Sequence, residues 1–185
     1  MADDILATIR DLIDGKGEKQ YGLSLVNQRA HALQAALLAE QAGCSAALIT
    51  AALLHDIGHM VHDLGEDPAA EGVDDHHEEL GHDFLVRWFG PDVTDPVRLH
   101  VAAKRYLCAT ESDYFGRLSN DSIRSLALQG GPMSDAEVAA FRALPHYEAA
   151  VQLRRFDEGA KVKGLQVPGV AHFMPYVQES LAAGR

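Results

Sequence analysis

The chain has little of what several protein classes require. Cysteine is nearly absent: Cys44 and Cys108 are the only two, and neither belongs to a C-x-x-C pair. That excludes a disulfide framework, and both thiols are expected to be reduced and buried. Cations are scarce as well, with 16 Lys and Arg against 27 Asp and Glu and a formal net charge of -11. A nucleic-acid surface needs clustered Lys and Arg to displace counterions, so no nucleic-acid partner is expected. A small anion would need a locally basic pocket. Long apolar runs are missing too: the longest, from Ala46 to Leu54, is broken by Thr50 and falls far below the roughly 18 residues that cross a bilayer. Asp3 and Asp4 stand where a signal peptide would be positive, so a cytoplasmic protein without membrane contact is expected.

Period-2 alternation of useful length and internal repeats are both lacking, and the fold class expected is all-α. At 185 residues, with 47% hydrophobic and 23% charged residues, the chain suits one globular domain over residues 1–185 rather than two. Ile5, Ile9, Leu12 and Ile13 recur at helical spacing up to Gly15 and Gly17. An Ala- and Leu-rich helix spans Asn27 to Glu40, and Ser45 caps a second that runs to Ile57 and stops at Gly58. The stretch from His62 to Asp74 reads as a loop. Asp75 with Glu78 resembles a capping box for a helix through Trp88. Pro96 suits the first turn of a helix carrying His100, Lys104 and Tyr106. Ser119 and Ser134 cap two more helices across the Gln129-Gly130-Gly131-Pro132 loop. Tyr147 to Asp157 and a segment near His172 to Ala182, started ambiguously by Pro175, complete the chain.

Histidine is what the chain has in plenty, ten in all. His55-Asp56 is the centre of the pattern, because adjacent helical residues diverge by about 100 degrees and reach a metal pair from different angles. Around it stand His31 on the preceding helix, His59 one turn on, His77 and His100 on later helices, and Asp157 near the end. The imidazoles His31, His55, His77 and His100 with the carboxylates Asp56 and Asp157 give three ligands per metal if Asp56 bridges, a set suited to iron or manganese. His62, His76, His82, His146 and His172 fall outside the pattern.

The order His, His-Asp, His, His, Asp resembles the HD-domain superfamily, whose fold is a helical bundle. His55-Asp56-Ile57-Gly58-His59, His77-Glu78-x-x-Gly81, the run His100 to Leu107 and the run Gln129 to Met133 are similar to its mixed-valence diiron oxygenases, which cleave the C–P bond of 1-hydroxy-2-ammonioethylphosphonates. The resemblance spans Tyr21 to His172; myo-inositol oxygenases share the ligand order more distantly. It implies two iron ions as an Fe(II)/Fe(III) pair, with O2 as co-substrate. His31, His55, Asp56 and Asp157 would hold one iron, and Asp56 would bridge to another on His77 and His100. The phosphonate would be gripped by His59, Lys104, Ser122, Gln129 and Arg154, residue types that neutralise a dianion and fill its acceptor shell. Asp56, Lys104 and Tyr21 would act in catalysis, Tyr21 as a lid that leaves the iron when substrate arrives.

One departure bears on the substrate. The family places a Glu three residues after the Tyr, to meet a primary ammonium, whereas Ser24 follows Tyr21 here. A quaternary ammonium has no N–H to donate and loses less by the change. The expected substrate is therefore (R)-1-hydroxy-2-(trimethylammonio)ethylphosphonate, giving glycine betaine and phosphate, with Ser24 making room and Tyr21, Tyr106 or Phe156 offering an aromatic face. Alternatives are the unmethylated 2-amino-1-hydroxyethylphosphonate, giving glycine, and a metal-dependent phosphohydrolase reaction.

Overall fold

A computed structural model describes residues 2–19, 23, 25–61 and 74–181. Ten α-helices are present among them: α1 Ala2–Asp14, α2 Gln28–Gln41, α3 Ala46–Leu54, α4 Gly58–Val61, α5 His77–Leu85, α6 Pro91–Thr110, α7 Asn120–Leu128, α8 Asp135–Arg142, α9 Tyr147–Gly159 and α10 Val170–Glu179. An isolated bridge between Phe89 and Leu181 is the nearest approach to a strand among the described residues. The all-α expectation holds. No described helix is long and apolar enough to cross a membrane.

α3 organises the bundle because it is apolar all round: Leu48 through Leu54 are all buried. It packs against α2, α6 and α10, while α9 lies along α6 and α2. Ala32, Ala35, Ala36 and Ala39 are fully or almost fully buried on α2, and their small side chains let the neighbouring helices approach closely. Ile5, Ile9 and Ile13 of α1 and Phe173 and Val177 of α10 close one end of the same core. The other side of α2 and α3, toward α5, α6 and α9, is where polar residues are buried.

Several boundaries differ from expectation, for local reasons. α3 ends at Leu54 with His55 as its C-cap, and Gly58 begins α4 instead of stopping α3. A side chain at Gly58 would put Cβ 1.9 Å from the His77 carbonyl oxygen, so this glycine serves the close approach of α4 to α5. The Asp75–Glu78 capping box does not form. His76 takes the N-cap in a left-handed conformation (φ 48°), and the Asp75 carboxylate turns to histidines instead. Pro91 occupies the first turn of α6, where its missing N–H costs nothing; Pro96 lies inside the helix, without an N–H for the Asp92 carbonyl. Pro175 is likewise internal to α10, which starts after Gly169. Ser119 and Ser134 cap α7 and α8 as expected, the latter with a complete capping box to Glu137. The cysteines are unpaired but only half-buried, because each sits at the margin of a core cluster. The loop expected from His62 falls, through residue 73, outside the described residues, as do Tyr21 and Ser24.

Candidate metal centre

Five separate helical segments converge on one buried spot. α2 supplies His31, the turn after α3 supplies His55 and Asp56, α5 opens with His77, α6 contributes His100 from its middle and α9 brings Asp157 near its end. All six are buried, a costly place for polar side chains unless each is paired or bound to an ion.

Their hydrogen bonds define what the site accepts. His31 Nδ1 lies 2.9 Å from the Ala160 carbonyl, His55 Nδ1 2.9 Å from that of Ala52, and His100 Nδ1 2.6 Å from that of Val97. His77 Nδ1 lies 2.9 Å from Asp75 Oδ1. Carbonyls and carboxylates only accept, so every Nδ1 carries its proton and every Nε2 turns a lone pair inward. These lone pairs face each other: His31 to His55 at 3.1 Å and His77 to His100 at 3.2 Å. Two acceptors at that distance need a shared positive centre, either a proton or a metal ion.

Carboxylates complete both pairs. Asp157 Oδ1 is 3.2 Å from His31 Nε2 and 3.9 Å from His55 Nε2. Asp56 stands between the pairs, Oδ2 at 3.5 Å from His31 and Oδ1 at 3.5 Å from His77 and 3.6 Å from His100. Gln28 donates to Asp56 Oδ2 at 3.2 Å and fixes that orientation.

The electrostatics follow this pairing. Burial works against ionised Asp56, but the surrounding histidines outweigh it and hold the carboxyl well below its usual range. Asp157 behaves the same way, with Arg154 as the main opposing influence. Within each imidazole pair one ring is raised and the other lowered in its affinity for a proton. Burial disfavours charge on His77, yet Asp75 and Asp56 raise it to about 9, while burial and the neighbouring His77 push His100 down to about 3. His31 is raised against its burial by Asp157 and Asp56, and His55 is lowered by burial. Without metal, the His77–His100 pair thus holds a proton at neutral pH where an ion would sit, and the His31–His55 pair is shifted in the same sense.

A cavity of about 100 Å³ opens beside this cluster. Lys104, Ser122, Gln129 and Arg154, all expected on sequence grounds, line it. Lys104 is buried, donates to Ser125 Oγ at 2.8 Å, and is pushed down to about 7 by burial and by Arg154. Arg154 is buried too: it donates to the Tyr114 hydroxyl at 3.1 Å, to Ser122 Oγ at 3.0 Å, and to Asp157 and Glu158. Gln129 leaves its Oε1 buried without a partner, and toward an anion only the NH2 of this amide can donate. His59 stacks on His77 with centroids 4.1 Å apart, and its Nδ1 lies 2.8 Å from Asp75 Oδ2.

Two of the three expected aromatic faces, Tyr106 and Phe156, are corrected. Tyr106 packs on Phe141 and under Arg142, Phe156 packs against the main core, and neither lines the cavity. Leu23, Val101 and Leu128 form its apolar wall instead. Sequence reasoning also missed Gln28, Asp75, Ser125, Glu158 and Lys161. The spacing of Arg154 to Glu158, and of Asp157 to Lys161, is one helical turn and was the available signal.

The family model of the HD domain matches residues 29–107, a span that includes four of the five converging segments and stops before Asp157. Over 95% of its length the chain is 43% identical to the [1-hydroxy-2-(trimethylamino)ethyl]phosphonate dioxygenase (glycine-betaine-forming) of Leisingera caerulea, covering 89% of that protein. It is 46% identical to the hydroxymethylphosphonate dioxygenase of Gimesia maris, covering 88% of it. At 30% identity it is similar to the uncharacterized protein L432 of Acanthamoeba polyphaga mimivirus.

Proposed function

Because the chain belongs to the HD-domain family, we propose that it is an O2-dependent dioxygenase that cleaves the C–P bond of a 1-hydroxyphosphonate at a two-iron centre. The observation that carries this reading is the pair of facing imidazole couples, joined through Asp56 and opening on a buried anion pocket. His31, His55 and Asp157 would hold one ion, His77 and His100 the other, with Asp56 between. The nitrogen and oxygen donors suit iron. Bound there as an Fe(II)/Fe(III) pair, it would supply the one-electron chemistry with O2 that side chains lack.

The chain's own residues bind and orient. Lys104, Arg154, Ser122, Gln129 and His59 would take the phosphonate oxygens and set the C1 hydroxyl toward the metals. The reaction balances as RCH(OH)PO3(2-) with O2 going to RCOO(-), HPO4(2-) and one proton: the C–P, C1–H and O–O bonds break, and one oxygen atom of O2 enters each product. Asp56 would keep the two metals in register, and Tyr21 would cover the site until substrate arrives.

For the substrate, the trimethylammonio compound is our first choice. Ser24 brings no carboxylate for a primary amine, and the apolar wall of Leu23, Val101 and Leu128 suits methyl groups. The Gimesia maris relative supports a second reading, hydroxymethylphosphonate, which has no amine at all. We assign the protein to the cytoplasm, a reading supported by its unpaired thiols.

Oxygen uptake by the iron-loaded protein tests the reading. One O2 consumed per phosphate released is expected, fastest with the trimethylated compound, slower with hydroxymethylphosphonate and slowest with the primary amine. Anaerobic release of phosphate from a phosphate ester, with no O2 uptake on any phosphonate, would establish the hydrolase instead.

A further inference from the structure

Lys161 follows α9 one turn beyond Asp157, and its side chain is only 8% exposed. It lines the same cavity as Lys104 and Arg154. Its Nζ donates to Ser122 Oγ at 2.9 Å, Glu158 Oε2 at 3.1 Å and Ser119 Oγ at 3.2 Å.

Arg154 faces two carboxylates, Asp157 and Glu158. Lys161 stands against the same two, 3.1 Å from Glu158 and 3.8 Å from Asp157, and adds a donor on the Ser122 side of the cavity. The donors are also assembled in advance: Ser122 Oγ, Lys161 Nζ and Arg154 Nη2 all converge on one oxygen of Glu158. That carboxylate stands behind them and orders their heads before substrate binds.

We infer that Lys161 is a third binding cation for the phosphonate dianion, exchanging its longest hydrogen bond, to Ser119, for a phosphonate oxygen. The inference rests on the reading that an anionic phosphonate occupies this cavity.

The test uses the full-length, iron-loaded protein with Lys161→Gln, Lys161→Met and Lys161→Arg. Calorimetry reports the Kd of inorganic phosphate, and steady-state kinetics report KM and kcat for the phosphonate that the parent protein turns over. Both neutral variants should weaken phosphate binding and raise KM by roughly 10- to 100-fold, the usual worth of a charged hydrogen bond, with kcat changed by less than about threefold. Lys161→Arg should restore both values to within about threefold. Circular dichroism and iron content identify a folded variant; the second neutral substitution serves if one fails to fold. Unchanged Kd and KM in a folded neutral variant would overturn the inference, as would equal loss in the Arg variant, or a parent protein that binds no phosphate. A parent that binds phosphate yet oxidises no phosphonate would defeat the proposed function while leaving the Lys161 comparison decisive.

Discussion

His77 and His100 meet Nε2 to Nε2 at 3.2 Å while both Nδ1 atoms are already engaged, one by Asp75 and the other by the Val97 carbonyl. His31 and His55 repeat the arrangement at 3.1 Å. Each pair is a socket for one positive centre, and a proton competes with a metal ion for it.

Metal binding should therefore release protons. His77 is raised to about 9, so at pH 7 its pair holds a proton that an incoming ion must displace. Calorimetry of Fe(II) binding in buffers of different ionisation enthalpy should show about one proton released at pH 7 for the ion held by His77 and His100. Affinity should climb as pH rises and level off above about 9. The metal-free protein should show the reverse linkage, because the stability from protonated His77 is complete below its ordinary 6.5 and is lost as pH rises through 9. Binding without proton release would contradict the socket.

Among the described residues, Asp56 is the carboxylate within 4 Å of both pairs. Asp56→Ala should leave less than about a tenth of the iron of the parent protein, because both ions lose a ligand, whereas Asp157→Ala should keep the ion on His77 and His100. Elemental analysis after desalting checks it. Equal iron in the two variants would remove the bridging role.

Gly58 has no room for a methyl group, since Cβ would lie 1.9 Å from the His77 carbonyl oxygen. Gly58→Ala should cost about 3 kcal/mol and displace His77 with the start of α5. Thermal unfolding and iron content should fall together. A melting temperature within about 2 °C of the parent value would show that the α4–α5 contact is looser than described.

Lys104, depressed to about 7, is the pocket cation that titrates near neutrality. Sulfate, whose charge is constant over this range, should bind more weakly as pH rises through about 7, because the ammonium is lost. Lys104→Met should weaken binding at low pH and flatten that profile. A parent profile flat from pH 6 to 9 would place the titration elsewhere.

The helices, and the side chains that converge at the candidate centre, were legible in the sequence for different reasons. Ser119, Ser134 and the apolar period of α1 act locally, and a cap or stripe needs only its own few residues. Gly58 and Asp75 were misread because their roles are set by distant partners: the His77 carbonyl in one case, His59 and His77 in the other. Pro91 and Pro96 both lie near the start of α6, and only packing decides which opens the helix. Lys161 and Glu158 were not singled out, because their burial depends on a distant element. Nothing local indicates that α7 folds over them with Ser119 and Ser122.

Mössbauer spectroscopy of the iron-57-loaded protein, before and after addition of the hydroxyphosphonate, tests the two-metal claim most directly. Two iron sites in equal amount, magnetically coupled and present as Fe(II) and Fe(III) when substrate is added, are the expected result. A single uncoupled iron per chain would contradict it.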